Sequence, residues 1–433
     1  MFRMGVPGEW SGDPADADPA SVTNRALADL LFEGLTRLGP AGLPEPALAE
    51  RWFVTEDRLT WTFVLPEDLV DGGGVAVTAR NVKHSLESVA ARGPADQAAT
   101  ALTVVTGWRT HMNGEAGGVA GISAPDETTL VIRLDTAFEL LPDVLASPPF
   151  GVTNRGDDGV IRTTGAYRWG EGDTLVPVDD RSGLPMIELV RSEQDPAALV
   201  AGGLVDWAVL RPGTDSDGID ADVIRQPLDL RVALVSRLPA RADRLGLFGA
   251  VAPLLLATEV PALAPRSSVR ATDEGTAPAA VVVDVPQGIL EPLGSELVAQ
   301  LESAGVTVVP VVSPPAEFAA RVSSGEAVLF PVVMAGGTGP AGGLLRMAVP
   351  GGVDDVIGQL SAARAELAQA ATAAIEEEPR DLFFAALEQH LIDDAFLLPV
   401  GQFEARIAVD RGVRGLRHRA DGTLDLSGVV ATG

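Results

Sequence analysis

The chain has 433 residues, with 32 Lys+Arg against 60 Asp+Glu, a formal net charge of −28 and no cysteine. These figures exclude disulfides, a thiol nucleophile and a thiolate metal site, and such acidity leaves nothing to offset phosphate repulsion, so nucleic acid is not a partner. Hydrophobic residues make up 46%, as in ordinary globular proteins, and the length suits two or three domains.

In chain order, alternating or β-branched runs predict strands at 60–65, 129–134 and 187–191, and helical periodicity predicts a helix at 79–91 with Thr78 as its N-cap. Further on, a strand at 280–285, a helix at 292–304 and a strand at 306–312 form a βαβ unit of ordinary size, which implies a parallel pair. Helices follow at 315–323 and 356–377, and short strands return between 397 and 430. Turn-rich stretches at 7–19, 170–183, 212–222, 266–278 and 334–343 punctuate these elements. The chain before about residue 235 reads as β-rich, and 235–399 reads as α/β. The expected organisation is therefore a discontinuous lobe I (1–234 and 400–433) and an inserted lobe II (235–399), with the chain crossing twice and a cleft between.

The usual catalytic patterns are absent. There is no Gly-x-Ser-x-Gly elbow and no phosphate loop. Lys83, the sole lysine, lies on the predicted 79–91 helix. Gly72-Gly73-Gly74 and Gly336-Gly337-Thr338-Gly339 lack the strand-before, helix-after context of a dinucleotide site and read as turns. Asp215, Asp217, Asp220 and Asp222 have the wrong spacing for a calcium loop. His84, His111, His390 and His418 show no metal-ligand spacing. No enzyme activity, cofactor or metal is expected. The stretch 245–257, the most apolar, is about half the length of a membrane span, and Met1–Val6 is too short for a signal-peptide core.

A series of motifs in the first half is more informative. Phe2–Val6 reads as an opening strand. Leu31-Phe32-Glu33-Gly34-Leu35-Thr36, Pro46 to Trp52, Leu59 to Leu65, Asp71-Gly72, Val77 to Leu86 and Ile122 to Ile132 follow in order. Thr164-Gly165-Ala166-Tyr167, Leu199 to Trp207, Leu297 to Val312, Pro315 to Glu326, Leu398-Pro399 and Val413-Arg414-Gly415 continue the series. In this order the chain resembles the family 5 solute-binding proteins of bacterial ABC importers, which include dipeptide, oligopeptide and nickel binders. The resemblance implies an α/β, two-lobed periplasmic-binding-protein-like fold (class II type) whose hinged lobes close over a ligand in the interlobe cleft. It also implies a monomer that delivers a small solute (peptide, sugar-like or hydrophobic) to ABC permease subunits. Its expected location is extracytoplasmic, lipid-anchored to the outer face of the cytoplasmic membrane, with the leader missing from this chain.

Two departures from the family pattern bear on the ligand. The long helical opening of the second lobe is hard to find in 236–268. Peptide-binding members place an aspartate after a Trp-containing strand to meet the ligand's ammonium, whereas Phe330 to Pro340 here has neither Trp nor Asp. An ammonium buried there would lack a partner, at a cost of several kcal/mol. An alternative function is therefore a binding-protein fold repurposed as a non-transport envelope lipoprotein, regulatory or scaffolding. By position in the family pattern, Thr23, Asn24 and Glu33 face the ligand, Trp108 and Arg109 reach the cleft with Arg109 available to an anion, and Phe150, Thr153 and Asn154 form a cleft loop. Met334, Gly336 and Gly337 make the opposing wall. The expected cleft is largely apolar with a few polar anchors, better suited to a neutral solute than to a charged peptide.

Overall fold

The computed structural model describes residues 1–6, 12–14, 21–39, 43–93, 96–155, 160–179, 182–211, 214, 219–260, 263–265, 275–335, 370, 377–419 and 423–431. The elements that place the site are, in order, β1 (Phe2–Val6), α1 (Val22–Leu31), β2 (Arg51–Val54), β3 (Thr60–Val64), α2 (Ala79–Ala90), α3 (Trp108–Met112), β4 (Ile122–Ser123), β5 (Thr129–Arg133), β6 (Tyr167–Trp169), β7 (Thr174–Pro177), β8 (Ile187–Arg191), α4 (Pro196–Ala201) and β9 (Trp207–Val209). There follow β10 (Asp222–Ser236), β11 (Leu263–Pro265), β12 (Ala280–Pro286), α5 (Glu291–Ser303), β13 (Thr307–Ser313), α6 (Pro315–Ser324), β14 (Leu329–Ala335), α7 (Glu377–Asp393) and β15 (Leu397–Val409).

One eleven-stranded sheet runs through the molecule in the order β6-β7-β8-β1-β9-β15-β10-β14-β12-β13, with β11 joined to β15. A separate four-stranded antiparallel sheet, β2-β3-β5-β4, carries α2 and α3. Its strands alternate buried and partly exposed residues, so Trp61 and Phe63 of β3 point into a core with Leu130 and Ile132 of β5. Thr78 caps α2 by accepting from the Asn81 amide, while the Asn81 side chain accepts from the Thr78 amide, a reciprocal capping box. On the outer part of that helix Lys83 lies 3.7 Å from Glu87, and His84 is largely exposed with its ring 3.3 Å from the same carboxylate. The first glycine cluster is a turn: Gly74 has φ +81°, and the buried Asp71 accepts from the Gly73 and Val75 amides.

The expected βαβ unit is present. β12 and β13 pair in parallel over seven residues, with α5 between them in the chain. Gly294 lets α5 lie close on the sheet, because a β-carbon there would come 2.4 Å from Val285. The fold is α/β and two-lobed. The first part of the chain is less hairpin-like than its sequence suggests: β1 pairs in parallel with both β8 and β9. The sequence also reads only short strands after residue 397, whereas β15 is one strand of 13 residues. It passes through Gly401, where a β-carbon would meet the Ala264 carbonyl and the Leu263 side chain at 2.7 Å. The helix expected at 356–377 and the acidic stretch 215–218 lie largely outside the described residues.

β10 and β15 form the long antiparallel ribbon that links the parallel groups on either side. Val235 pairs Leu397 and Ala233 pairs Pro399, so both sequence-predicted crossing points fall at one level of this ribbon. Its register shifts between Pro227 and Arg231 of β10, opposite Glu404 and Gln402. Three residues, 228–230, thus face a single residue of β15, and the ribbon bends there. Gln402 donates its side-chain amide to the Leu228 carbonyl at 2.9 Å, which satisfies a group the shifted register leaves over.

The Thr164-Gly165-Ala166-Tyr167 turn seats α1 against this sheet. The Gly165 amide donates to the Leu31 carbonyl at 2.9 Å, and a β-carbon on Gly165 would come 2.6 Å from the Leu30 carbonyl and 2.7 Å from the Leu31 carbonyl carbon. Gly165→Ala is therefore expected to cost about 1–3 kcal/mol, as overpacking against backbone does. A urea midpoint indistinguishable from the parent's would contradict this.

Candidate functional site

The parallel strands β8, β1 and β9 end together, and in open α/β sheets ligands bind beyond such carboxyl ends. A cavity of about 280 Å³ lies there. Gly5 and Val6 end β1, Ser192 and Gln194 follow β8, and Ala208 to Arg211 run out of β9; all line it. Gly5 permits this convergence, since a β-carbon on it would lie 3.1 Å from that of Ala208. The floor is Phe403 to Arg406 of β15. On this edge β15 pairs β9 from Ile407 onward and β11 up to Phe403, so the two partner strands leave a gap at the cavity. Leu228, from the register shift on the other edge, and Ile289, which follows β12, complete the enclosure. The cavity thus draws on both parallel groups of the large sheet.

Its walls are mainly apolar, with Ser21, Thr23, Ser192, Gln194, Arg211, Glu404 and Arg406 as polar or charged members. Arg406 donates to the Thr214 carbonyl at 2.8 Å, Arg211 to the Glu193 carbonyl at 2.7 Å, and Glu404 lies 3.7 Å from Arg225. The volume is just below the usual range for small-molecule sites, so it admits a compact solute or part of a larger one.

The structure distributes the sequence-predicted residues differently from expectation. Thr23 lines the cavity. Asn24, half-buried, donates its backbone amide to the Ser21 hydroxyl. Glu33 is partly buried and 3.7 Å from Arg37; burial holds its carboxyl above the ordinary value, with Arg37 and Arg419 opposing. Trp108 belongs to the core, not to a cleft wall: it is fully buried and its indole N–H donates to the Ala99 carbonyl at 2.6 Å. The left-handed Gly107 (φ +75°) turns the chain into α3 and directs Trp108 inward. Arg109, next to it, is half-buried, and Phe150 is a core residue of the same cluster.

Thr153 and Asn154 are internal staples. The Thr153 amide donates to the Ser85 hydroxyl at 3.0 Å. Asn154 accepts from the Asn81 side chain and donates to Asp71, each at 2.9 Å, which ties the 152–155 segment to α2 and the Asp71 turn. Met334 lies on β14 opposite Arg231 of β10, while Gly336 and Gly337 lie outside the described residues. The sequence reading missed Gly5, Val6, Phe403 and Arg406. A glycine at the end of an apolar opening strand was the one local signal for them.

Next to the cavity, Trp207 of β9 donates its indole N–H to Nε2 of His418 at 3.1 Å. Burial lowers the pKa of His418 below the ordinary value, and the bond needs a neutral ring nitrogen. As pH falls, the unfolded chain takes up this proton before the folded one. The contribution is complete above the unfolded pKa of about 6.5 and declines as pH drops below it. His418→Gln is expected to differ most from the parent in urea stability at pH 7.5 and to converge with it at lower pH. A pH-independent difference would contradict this.

Among the described residues no helix is long and apolar enough to cross a membrane, and no group of three or more His, Asp and Glu side chains is placed to hold a metal. Residues 44–177 match the family of bacterial extracellular solute-binding proteins, family 5 (middle region). The chain is 28% identical over 150 residues to the dipeptide-binding protein DppE of Bacillus subtilis, covering 34% of this chain and 28% of that protein. It is 32% identical over 152 residues to a putative binding protein of Haemophilus influenzae, again covering 34% and 28%. The aligned stretch therefore spans under a third of these relatives. Solved structures align over the whole chain. The unliganded open form of the Escherichia coli murein tripeptide binding protein MppA matches with TM-score 0.71 and 16% identity, covering 99% of this chain and 97% of that one. AgaA of A. tumefaciens R10, in complex with agropinic acid, matches with TM-score 0.71 and 18% identity, covering 100% and 99%. At these identities the structures establish the fold.

Proposed function

We propose that the chain, whose residues 44–177 match the bacterial extracellular solute-binding proteins of family 5, captures a small solute in the 280 Å³ cavity and presents it to the permease of an ABC importer. The observation that carries this reading is the position of the cavity. It lies beyond the carboxyl ends of β8, β1 and β9, with Ile289 reaching it from the β12 side of the ribbon. A change in the angle between the two halves of the sheet would open or close such a site. On this reading lobe II is the segment 235–399, and lobe I is the remainder. Similar proteins carry solutes as different as a dipeptide and agropinic acid by their names, so the ligand must be sought in this chain's own cavity. We further propose that the protein works as a monomer outside the cytoplasmic membrane, lipid-anchored to its outer face.

A thermal-shift panel of peptides, sugars, opines and metal chelates tests the central claim. A ligand at 100 times its Kd adds about 2.7 kcal/mol to stability. No shift with any compound would refute solute capture. Light scattering of the purified protein tests the monomer.

A further inference from the structure

The cavity is not neutral in character, although the sequence suggests a neutral cleft. Helix α1 begins at its wall, with Ser21, Val22 and Thr23 all lining it. Ser21 satisfies two of the first-turn donors: its hydroxyl accepts from Asn24, and its carbonyl accepts from Arg25. The amides of Val22 and Thr23 have no acceptor among the described residues, as expected of a helix start with no further cap. The Thr23 side chain is a second and independent indication. The residue is 2% exposed, yet its hydroxyl has no hydrogen-bond partner among the described residues. Nor is it one of the sealed, solvent-inaccessible polar atoms that lack a partner. The surface left to so buried a residue faces the cavity that it lines. Two amides, a hydroxyl and the positive end of a ten-residue helix thus meet the cavity at one point. Arg406 and Arg211 share the cavity, whereas its one carboxylate, Glu404, has Arg225 beside it. Val6, Leu199, Leu210, Leu228 and Phe403 make most of the remaining enclosure apolar, with Ser192 and Gln194 as its neutral polar members.

We propose that the solute has a compact apolar body and a single carboxylate, which accepts hydrogen bonds from the Thr23 hydroxyl and from the Val22 and Thr23 amides, with Arg406 supplying the balancing charge. This rests on the reading of the cavity as the solute site. The carboxylate completes the unpaired donors of α1, and the apolar body displaces water from the remaining walls. A neutral amide offers weaker acceptors and places its own NH₂ donors against other donors. The site therefore discriminates acid from amide in a chain whose net charge is −28.

The test uses matched acid and amide probes, phenylacetate with phenylacetamide and hexanoate with hexanamide, by thermal shift and titration calorimetry. The acids are expected to stabilise the protein and the amides to bind at least about tenfold more weakly, a difference of about 1.4 kcal/mol. Thr23→Val, nearly isosteric, should weaken acid binding by about tenfold, and Thr23→Ser should restore most of it. Equal binding of acids and amides, or unchanged acid affinity in Thr23→Val, overturns the inference and leaves solute capture standing. The same holds if a peptide or sugar shifts the melting temperature and the acids do not. If no compound of any class binds, both fall.

Discussion

Arg321→Ala is expected to lower stability by more than the loss of an exposed pair would, because it removes the counter-charge of a fully buried carboxylate. Asp284 on β12 has no solvent exposure, and its Oδ1 accepts from Nε of Arg321 on α6 at 2.6 Å. Its other carboxylate oxygen is sealed and has no partner among the described residues, so Arg321 is the counter-charge that makes the burial tolerable. The guanidinium also reaches Glu326 at 3.0 Å, but Glu326 is exposed and contributes little. The alanine variant leaves a charge in an apolar layer beneath α6. By contrast, the pairwise replacement Asp284→Leu with Arg321→Met removes both charges and is expected to be neutral or stabilising by about 1–4 kcal/mol. Urea denaturation of the two variants distinguishes a pair that supplies stability from one that only requires completion. An Arg321→Ala midpoint within about 1 kcal/mol of the parent would show that the Asp284 carboxyl finds relief elsewhere.

Asp206→Ala is the second large effect, at about 2–3 kcal/mol. The Asp206 carboxylate gathers three donors from one residue: the Arg3 amide at 2.6 Å, its Nε at 3.3 Å and its Nη2 at 2.6 Å. Its own amide donates to the Arg3 carbonyl, and its carbonyl accepts from Asp410. One aspartate therefore ties β1, the start of β9 and the end of β15. Arg3 is about a third exposed, so water recovers part of what the alanine variant loses, and the expected cost is below that of Arg321→Ala. Because β1 and β9 frame the cavity at their other ends, the variant should also weaken ligand binding. Asp206→Asn, which preserves shape, should retain much of both. If Asp206→Ala matched Asp206→Asn in stability and affinity, the charge-assisted bonds would not be what sets the strand positions.

How far the sequence foretells this arrangement depends on how local each determinant is. The helix at Ala79–Ala90 has its cap residue, its apolar period and its capping box within one stretch, and the β12-α5-β13 unit likewise carries its own pattern. The ribbon of β10 and β15 is different. It joins residues more than 160 positions apart, and Pro227 and Gly401 make each half look interrupted when read alone. The cavity is still less local, since Gly5, Thr23, Leu210, Ile289 and Phe403 meet through strand order. Trp108 shows the opposite error. A tryptophan between glycine and arginine reads as a cleft contact, and no local signal shows that Ala99 will accept its indole N–H. Asn154, read as a ligand contact, satisfies Asp71 and Asn81 instead, and a buried polar residue of this kind cannot be told from a binding one until its partners are known.

The pair of Lys83 and Glu87 on α2 has a practical consequence. Lys83 bears the sole side-chain amine of the chain, and there is no thiol at all. A succinimidyl dye can therefore mark α2 without any substitution. Acylation removes Lys83 as a partner of Glu87, but that carboxylate keeps its bond from the Val119 amide. One cysteine placed at Val309, half exposed on β13, would be the only thiol and would take a second dye. The two colours then sit on the helix of the four-stranded sheet and on the outer strand of the large sheet, and single-molecule energy transfer between them follows the distance between those two parts, once the dye on the α-amine is accounted for.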